Sequence, residues 1–146
     1  MFKHIVEEIK NRRAKKVFVQ LPEGMKTKSA ELARMLEEQG INCIISGDAC
    51  YGACDIKDDE AQRLGCDLLV HVGHNRFYVD FQTALPVLYY PWFIDANLDI
   101  DFSAIKEKRI GLLASIQHVM LLDSIKEKLE HENKIVFIGG QILGCW

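Results

Sequence analysis

One pattern constrains this chain more than any other: it runs through the same order of elements twice. "KKVFVQLPEG…AELARMLEEQG…INCIISGDACYGAC" and "KRIGLLASIQ…LDSIKEKLEHEN…KIVFIGGQILGC" match element for element. Each begins with a β-branched run, passes through an amphipathic helix, returns in a second apolar run and ends in a Gly-rich loop that reaches a cysteine. In the first copy Leu32, Met35 and Leu36 share a helical face and Gly40 is the stop signal; in the second, Val119, Leu122, Ile125 and Leu129 recur at spacings of three and four. Self-similarity of this kind is the mark of a duplicated unit.

Between the copies lie a short helix near Asp58 to Leu64 and two further strands, "DLLVHVG" and "PVLYY". Strands alternating with helices predict an α/β fold with a parallel sheet, because a parallel pair needs a crossover long enough to hold a helix. The expectation is therefore a four-stranded parallel sheet with flanking helices over residues 1–100, followed over 101–146 by the start of a second, similar α/β unit. That second stretch supplies two strands and one helix, too little to bury a core by itself. The chain is accordingly expected to be the front part of something longer. The N-terminal "MFKHIVEEIKNRRAKK" reads as a helix facing solvent.

Composition removes several classes of function. A formal charge of −3 over 146 residues offers no basic field for a phosphate backbone, which argues against nucleic-acid binding by bulk electrostatics. The most apolar stretch, "ALPVLYYPWFI" from Ala84 to Ile94, is too short for a membrane span and is interrupted by Pro86 and Pro91. Five cysteines, an odd number, with no secretory signal point to a reducing, cytoplasmic setting.

Chemistry is concentrated in "GDACYGACD", Gly47 to Asp55. The spacing of Cys50 and Cys54 leaves three residues between them, whereas redox pairs of the thioredoxin kind leave two. Zinc ligands are available in Cys43, Cys50, Cys54, Cys66, His71 and His74, but without the paired short spacing of structural zinc sites. A C-x3-C-x2-C cluster loop would need cysteine where Lys57 stands. Cys54 and Cys145 occupy corresponding loops at the carboxyl ends of the two predicted sheets, where α/β folds build their sites; the alternative is that they are small residues packed under the loops. Cys43 and Cys66 read as core residues. His71, inside a strand, reads as a satisfied structural histidine. His74, past the strand end, fits either a loop hydrogen bond or a site role, and "LPEG" before the first helix permits a ligand-facing Glu23 beside the cysteine loop.

Taken together, "QLPEG", "GDACYGACD", "EAQRLGCDLLVHVGH", "RIGLLASIQH" and "GGQILGC" resemble, in order and spacing, the archaeal diphthamide-synthesis enzymes. These are 3-amino-3-carboxypropyl transferases of the unconventional radical S-adenosylmethionine class. The resemblance implies a fold of three similar α/β units, each giving one cysteine to a single 4Fe-4S cluster. By motif, Cys54 is the ligand of the first unit and Cys145 that of the second, the third lying in a unit that this sequence does not contain; Cys50 is a bystander. It further implies a radical transfer of the 3-amino-3-carboxypropyl group of S-adenosylmethionine to C2 of a histidine imidazole in translation elongation factor 2. An electron donor serves the cluster, the full-length enzyme is a homodimer, and this chain alone is expected to be inactive. Tyr51, His74 and Gln117 are the candidates for contact with S-adenosylmethionine by motif position. Two other readings stay open: a non-catalytic α/β module binding a ligand or partner with structural cysteines, and a zinc scaffold built on Cys50, Cys54 and the nearby histidines. Metal content separates all three.

Overall fold

The computed structural model describes residues 2–76 and 82–143, in two compact units, Met1–Pro91 and Trp92–Trp146. In the first unit a helix α1 (Lys3–Asn11) precedes strand β1 (Lys16–Gln20), a 3-10 turn (Glu23–Lys28), helix α2 (Ser29–Glu37) and strand β2 (Asn42–Ile45). Helix α3 (Asp58–Arg63) and strands β3 (Leu68–Val72) and β4 (Val87–Tyr90) complete it. The strands form one parallel sheet in the order β2-β1-β3-β4, as the alternation of elements requires.

The inner strands are buried almost throughout: Val17 to Gln20 of β1 and all of β3 are out of solvent. Strands covered on both faces read as continuous apolar runs, and the buried "VFVQ" and "LLVHV" do so except at Gln20 and His71. Those two polar residues sit at or near the carboxyl ends of neighbouring strands and are paired in register. Helix α1 departs from the expected solvent-facing helix. It is amphipathic, and Phe2, Ile5, Val6 and Ile9 enter the core. Apolar residues four apart on one face have nowhere else to bury themselves.

In the second unit strand β5 (Arg109–Ala114) leads through a 3-10 turn (Ile116–Leu121) and helix α4 (Leu122–His131) to strand β6 (Ile135–Gln141), which pairs parallel with β5. A small core of Phe102, Leu129 and Val136 lies beneath, lined by Ile105, Ile110, Leu112 and Ile125. The two copies run without insertion or deletion from strand to strand. Lys16, Glu23, Ser29, Gly40 and Asn42 correspond, at one constant spacing, to Arg109, Ile116, Leu122, Asn133 and Ile135. Even the 3-10 turn before each main helix is repeated.

The helix ends repeat as well. Gly40, at φ 73°, donates its N–H to Glu37 O, and Ile41 N–H reaches back to Leu36 O. Asn133, at φ 60°, donates to Glu130 O, and Lys134 N–H to Leu129 O. This double bond pattern is the Schellman terminator, which satisfies the last carbonyls of a helix and requires a residue in the left-handed region. The stop signal at Gly40 is thus physical, and Asn133 is its counterpart. Among the described residues no helix is long and apolar enough to cross a membrane.

Candidate functional site

The site of the first unit forms where β1 and β3 end. Gln20 closes β1 and is 1% exposed. Its Nε2 donates to the carbonyl of Asp55 at 2.9 Å, and its Oε1 accepts from the N–H of Lys57 at 3.0 Å. One buried amide therefore grips the far end of the cysteine loop by two backbone groups, which explains how a glutamine is accommodated in an otherwise apolar strand. Lys26 Nζ donates to Gly47 O at 2.9 Å at the near end of the loop. Within it Asp55 N–H bonds Gly52 O at 3.0 Å and the Asp55 carboxylate accepts from Tyr51 N–H at 3.3 Å.

The loop presents its two cysteines in opposite senses. Cys54 is exposed; Cys50 is buried, with Sγ 3.9 Å from Nε2 of His71. Burial above all, with the nearby Asp55 charge, pushes the Cys50 thiol up to about 11, against smaller lowering effects of the Gly52 backbone and Lys26. Cys50 is thus a neutral thiol at neutral pH. Tyr51 is 86% exposed and projects into solvent.

His71, fully buried in β3, stacks obliquely on Tyr89 with ring centroids 5.5 Å apart. Its Nε2 lies 3.0 Å from Nδ1 of half-buried His74, and its own Nδ1 has no partner among the described residues. Burial, aided by the adjacent His74, holds its pKa down at about 4, so the ring is neutral. An unpaired lone pair is less costly in a buried place than an unpaired N–H, which assigns the proton to Nε2 and makes His71 the donor to His74. The expectation of a satisfied histidine holds for one nitrogen and fails for the other. Burial lowers the His74 pKa as well.

Gly73 fixes this geometry. It adopts φ 95°, and a Cβ there would come within 2.9 Å of Pro22 Cγ in the "LPEG" turn. No other residue type lets the chain bend so sharply against that ring between His71 and His74. Glu23 lies on the surface and pairs with Lys26 at 2.5 Å. Among the described residues, Cys50, His71 and His74 form the one group of three metal-binding side chains, their donor atoms all within 4.8 Å of one another; Cys54 stands outside it. Of the other cysteines, Cys66 is in the core as expected, and Cys43 is partly buried, its thiol pushed up to about 12 chiefly by burial.

In the second unit Gln117 lies in the 3-10 turn after β5, where its carbonyl accepts from Ile94 N–H at 2.7 Å. It therefore stands just past the carboxyl end of that strand. Cys145 falls outside the described residues. Sequence reasoning missed Gln20 as a loop clamp, although an amide at the end of an apolar strand, directly before "LPEG", was its signal.

The profile of the diphthamide synthesis protein family matches residues 21–145. The chain belongs to the diphthamide synthesis family. Within it, this member is 36% identical, over 97% of its own length, to the 2-(3-amino-3-carboxypropyl)histidine synthase of Pyrococcus horikoshii. It is 37% identical over 86% of its length to subunit 1 of the corresponding synthase of Schizosaccharomyces pombe. Its fold is similar to that of the crystal structure of Dph2 from Pyrococcus horikoshii with a 4Fe-4S cluster (TM-score 0.84, 36% identity, 97% of this chain and 46% of that one). A further crystal structure of the same Dph2 gives a TM-score of 0.85. The chain spans about 45% of the Pyrococcus synthase and 30% of the yeast subunit.

Proposed function

We propose that this family member is part of a 2-(3-amino-3-carboxypropyl)histidine synthase. The reaction would transfer the 3-amino-3-carboxypropyl group of S-adenosylmethionine to C2 of a histidine imidazole in translation elongation factor 2, in the cytoplasm. In this reading the chain contributes a first α/β unit (1–100) with the "YGAC" loop and a partial second unit (101–146) ending at the "LGC" loop. The single observation that carries the proposal is Cys54, an exposed thiol on a loop clamped by Gln20 at the carboxyl end of a parallel sheet, in a chain similar over nearly its whole length to the Pyrococcus synthase.

The donor chemistry fits. A thiolate is the soft ligand that iron-sulfur clusters take, and an exposed, braced loop presents one without burying its charge. Cys54 and Cys145 would hold two irons, and a third cysteine would come from a further unit of the complete enzyme. When bound, such a cluster supplies the electron that breaks the sulfonium C–S bond. The chain's own residues would orient the cosubstrate. His74, fixed through Nδ1 by His71, presents its second nitrogen as an N–H donor for a carboxylate, while Tyr51 and Gln117 supply further polar contacts. An external electron donor and a homodimeric full-length enzyme complete the proposal.

Anaerobic reconstitution with iron and sulfide tests it, on this chain and on the chain joined to a polypeptide supplying the remaining length of the family. The expected result is a 4Fe-4S absorption spectrum and about four irons in the completed form, lost on Cys54→Ala or Cys145→Ala and retained on Cys43→Ala. Iron retained in both single variants overturns the ligand assignment.

A further inference from the structure

Three donors of borderline and soft character meet at the end of β3: Cys50 Sγ, His71 Nε2 and His74 Nδ1. We propose that they form a mononuclear zinc site, built without Cys54 and with a fourth, open position. Bond lengths of about 2.3 Å to sulfur and about 2.05 Å to nitrogen place tetrahedral donors about 3.6 Å apart for S···N and about 3.3 Å apart for N···N. The corresponding separations here are 3.9 Å and 3.0 Å. These two separations need a shift of only a few tenths of an ångström, and the third, Cys50 Sγ to His74 Nδ1, lies within 4.8 Å and closes by rotation of the Cys50 and His74 side chains, whereas an iron-sulfur cluster spreads its thiolates over separate irons and has no use for two imidazoles at 3.0 Å.

The scaffold is rigid where it must be. His71 belongs to an inner strand hydrogen-bonded on both sides, Gly73 fixes the turn to His74, and the loop bearing Cys50 is held by Gln20. Both imidazoles are neutral, the form that binds metal. The thiol gives up its proton on binding, so zinc uptake releases one proton per ion. His74 is half-buried and gives the ion its approach from solvent. Ligation through Nε2 also moves the proton of His71 to Nδ1, where it has no partner among the described residues, so metal binding must offset that cost and the tautomer change gives the site a direct spectroscopic report.

The assignment does not depend on the proposed function, since Cys50 has no part in the cluster reading; it shares His74 with it, and with zinc on Nδ1 the ion takes the place of the His71 hydrogen bond and leaves the second nitrogen of His74 as an N–H donor. The test uses the whole chain, purified without metal, with Zn²⁺ and the spectroscopic substitute Co²⁺ as probes. One equivalent of Zn²⁺ is expected to bind, and Co²⁺ is expected to give a thiolate charge-transfer band with tetrahedral d–d absorption. Cys50→Ser and His74→Ala should each weaken Zn²⁺ binding by more than about 100-fold, beyond the 10–100-fold that loss of an outer-shell partner costs. Cys54→Ala should leave it unchanged. Imidazole ¹⁵N shifts should show His71 passing from Nε2–H to Nδ1–H on addition of Zn²⁺, with circular dichroism confirming that each variant is folded. Binding that survives Cys50→Ser, or that disappears in Cys54→Ala, overturns the site; in the chain completed with the remaining length of the family, iron-sulfur loss in Cys54→Ala with zinc retained separates it from the cluster reading.

Discussion

Replacing Gln20 by leucine isolates the clamp on the cysteine loop. Leucine matches the apolar surroundings of β1 but removes both bonds, to Asp55 O at 2.9 Å and to Lys57 N–H at 3.0 Å. Each lost bond leaves a backbone group partly shielded from water, at about 1–2 kcal/mol per group, so the loop is expected to loosen by about 2–4 kcal/mol. At 1.4 kcal/mol per factor of ten, that raises the population of the open loop by roughly 30-fold to roughly 700-fold. The two cysteines report the change separately, since Cys54 is exposed and Cys50 is buried. Alkylation followed by peptide mass spectrometry should show Cys50 labelling accelerated by that factor in Gln20→Leu, with Cys54 labelling altered less than about threefold. Urea unfolding should show a parallel fall in midpoint with little change in slope. If Cys50 labelling is unchanged and stability moves by less than about 0.5 kcal/mol, the amide is not what holds the loop.

Further outcomes follow from the backbone and from buried thiols. Gly73→Ala forces a left-handed φ and a contact at 2.9 Å with Pro22, so a loss of about 1–3 kcal/mol is expected in urea unfolding; a neutral result would show that the turn relaxes freely. Gly40→Ala meets no steric neighbour and pays the left-handed strain alone, about 1 kcal/mol. Asn133→Gly at the equivalent terminator should gain a few tenths of a kcal/mol, and a loss there would mean that the Asn side chain has a role of its own. For Cys43, whose thiol is pushed up to about 12, folded-state alkylation should rise about tenfold per pH unit through pH 10; a plateau near pH 9 would contradict its burial.

The parts of the fold visible in the sequence are those governed by local periodicity. The runs "KVFVQ", "LLVHV" and "VLYY" announce strands, Gly40 announces a helix end, and the duplication appears because both copies keep the same spacing. The burial of helix α1 is hidden in the sequence because its charged residues dominate the stretch by number, while burial is decided by the few on one face, Ile5, Val6 and Ile9. The site was legible as a loop but not as a set of contacts. Cys50 meets His71, and Gln20 meets Asp55 and Lys57, because β1 and β3 are neighbours in the sheet, and that adjacency depends on strand order. No spacing along the chain encodes it.

The repeat supplies a comparison internal to the molecule. The residue of the second copy that stands at the place of Gln20 is Leu113, which is 59% exposed where Gln20 is 1% exposed. A leucine side chain has no amide to hold a backbone, so the two halves share the same strand-turn-helix-strand frame and differ at the residue that, in the first, holds the cysteine loop. The first half sets its loop from its own strand, through a side-chain amide that the second half does not have at that place.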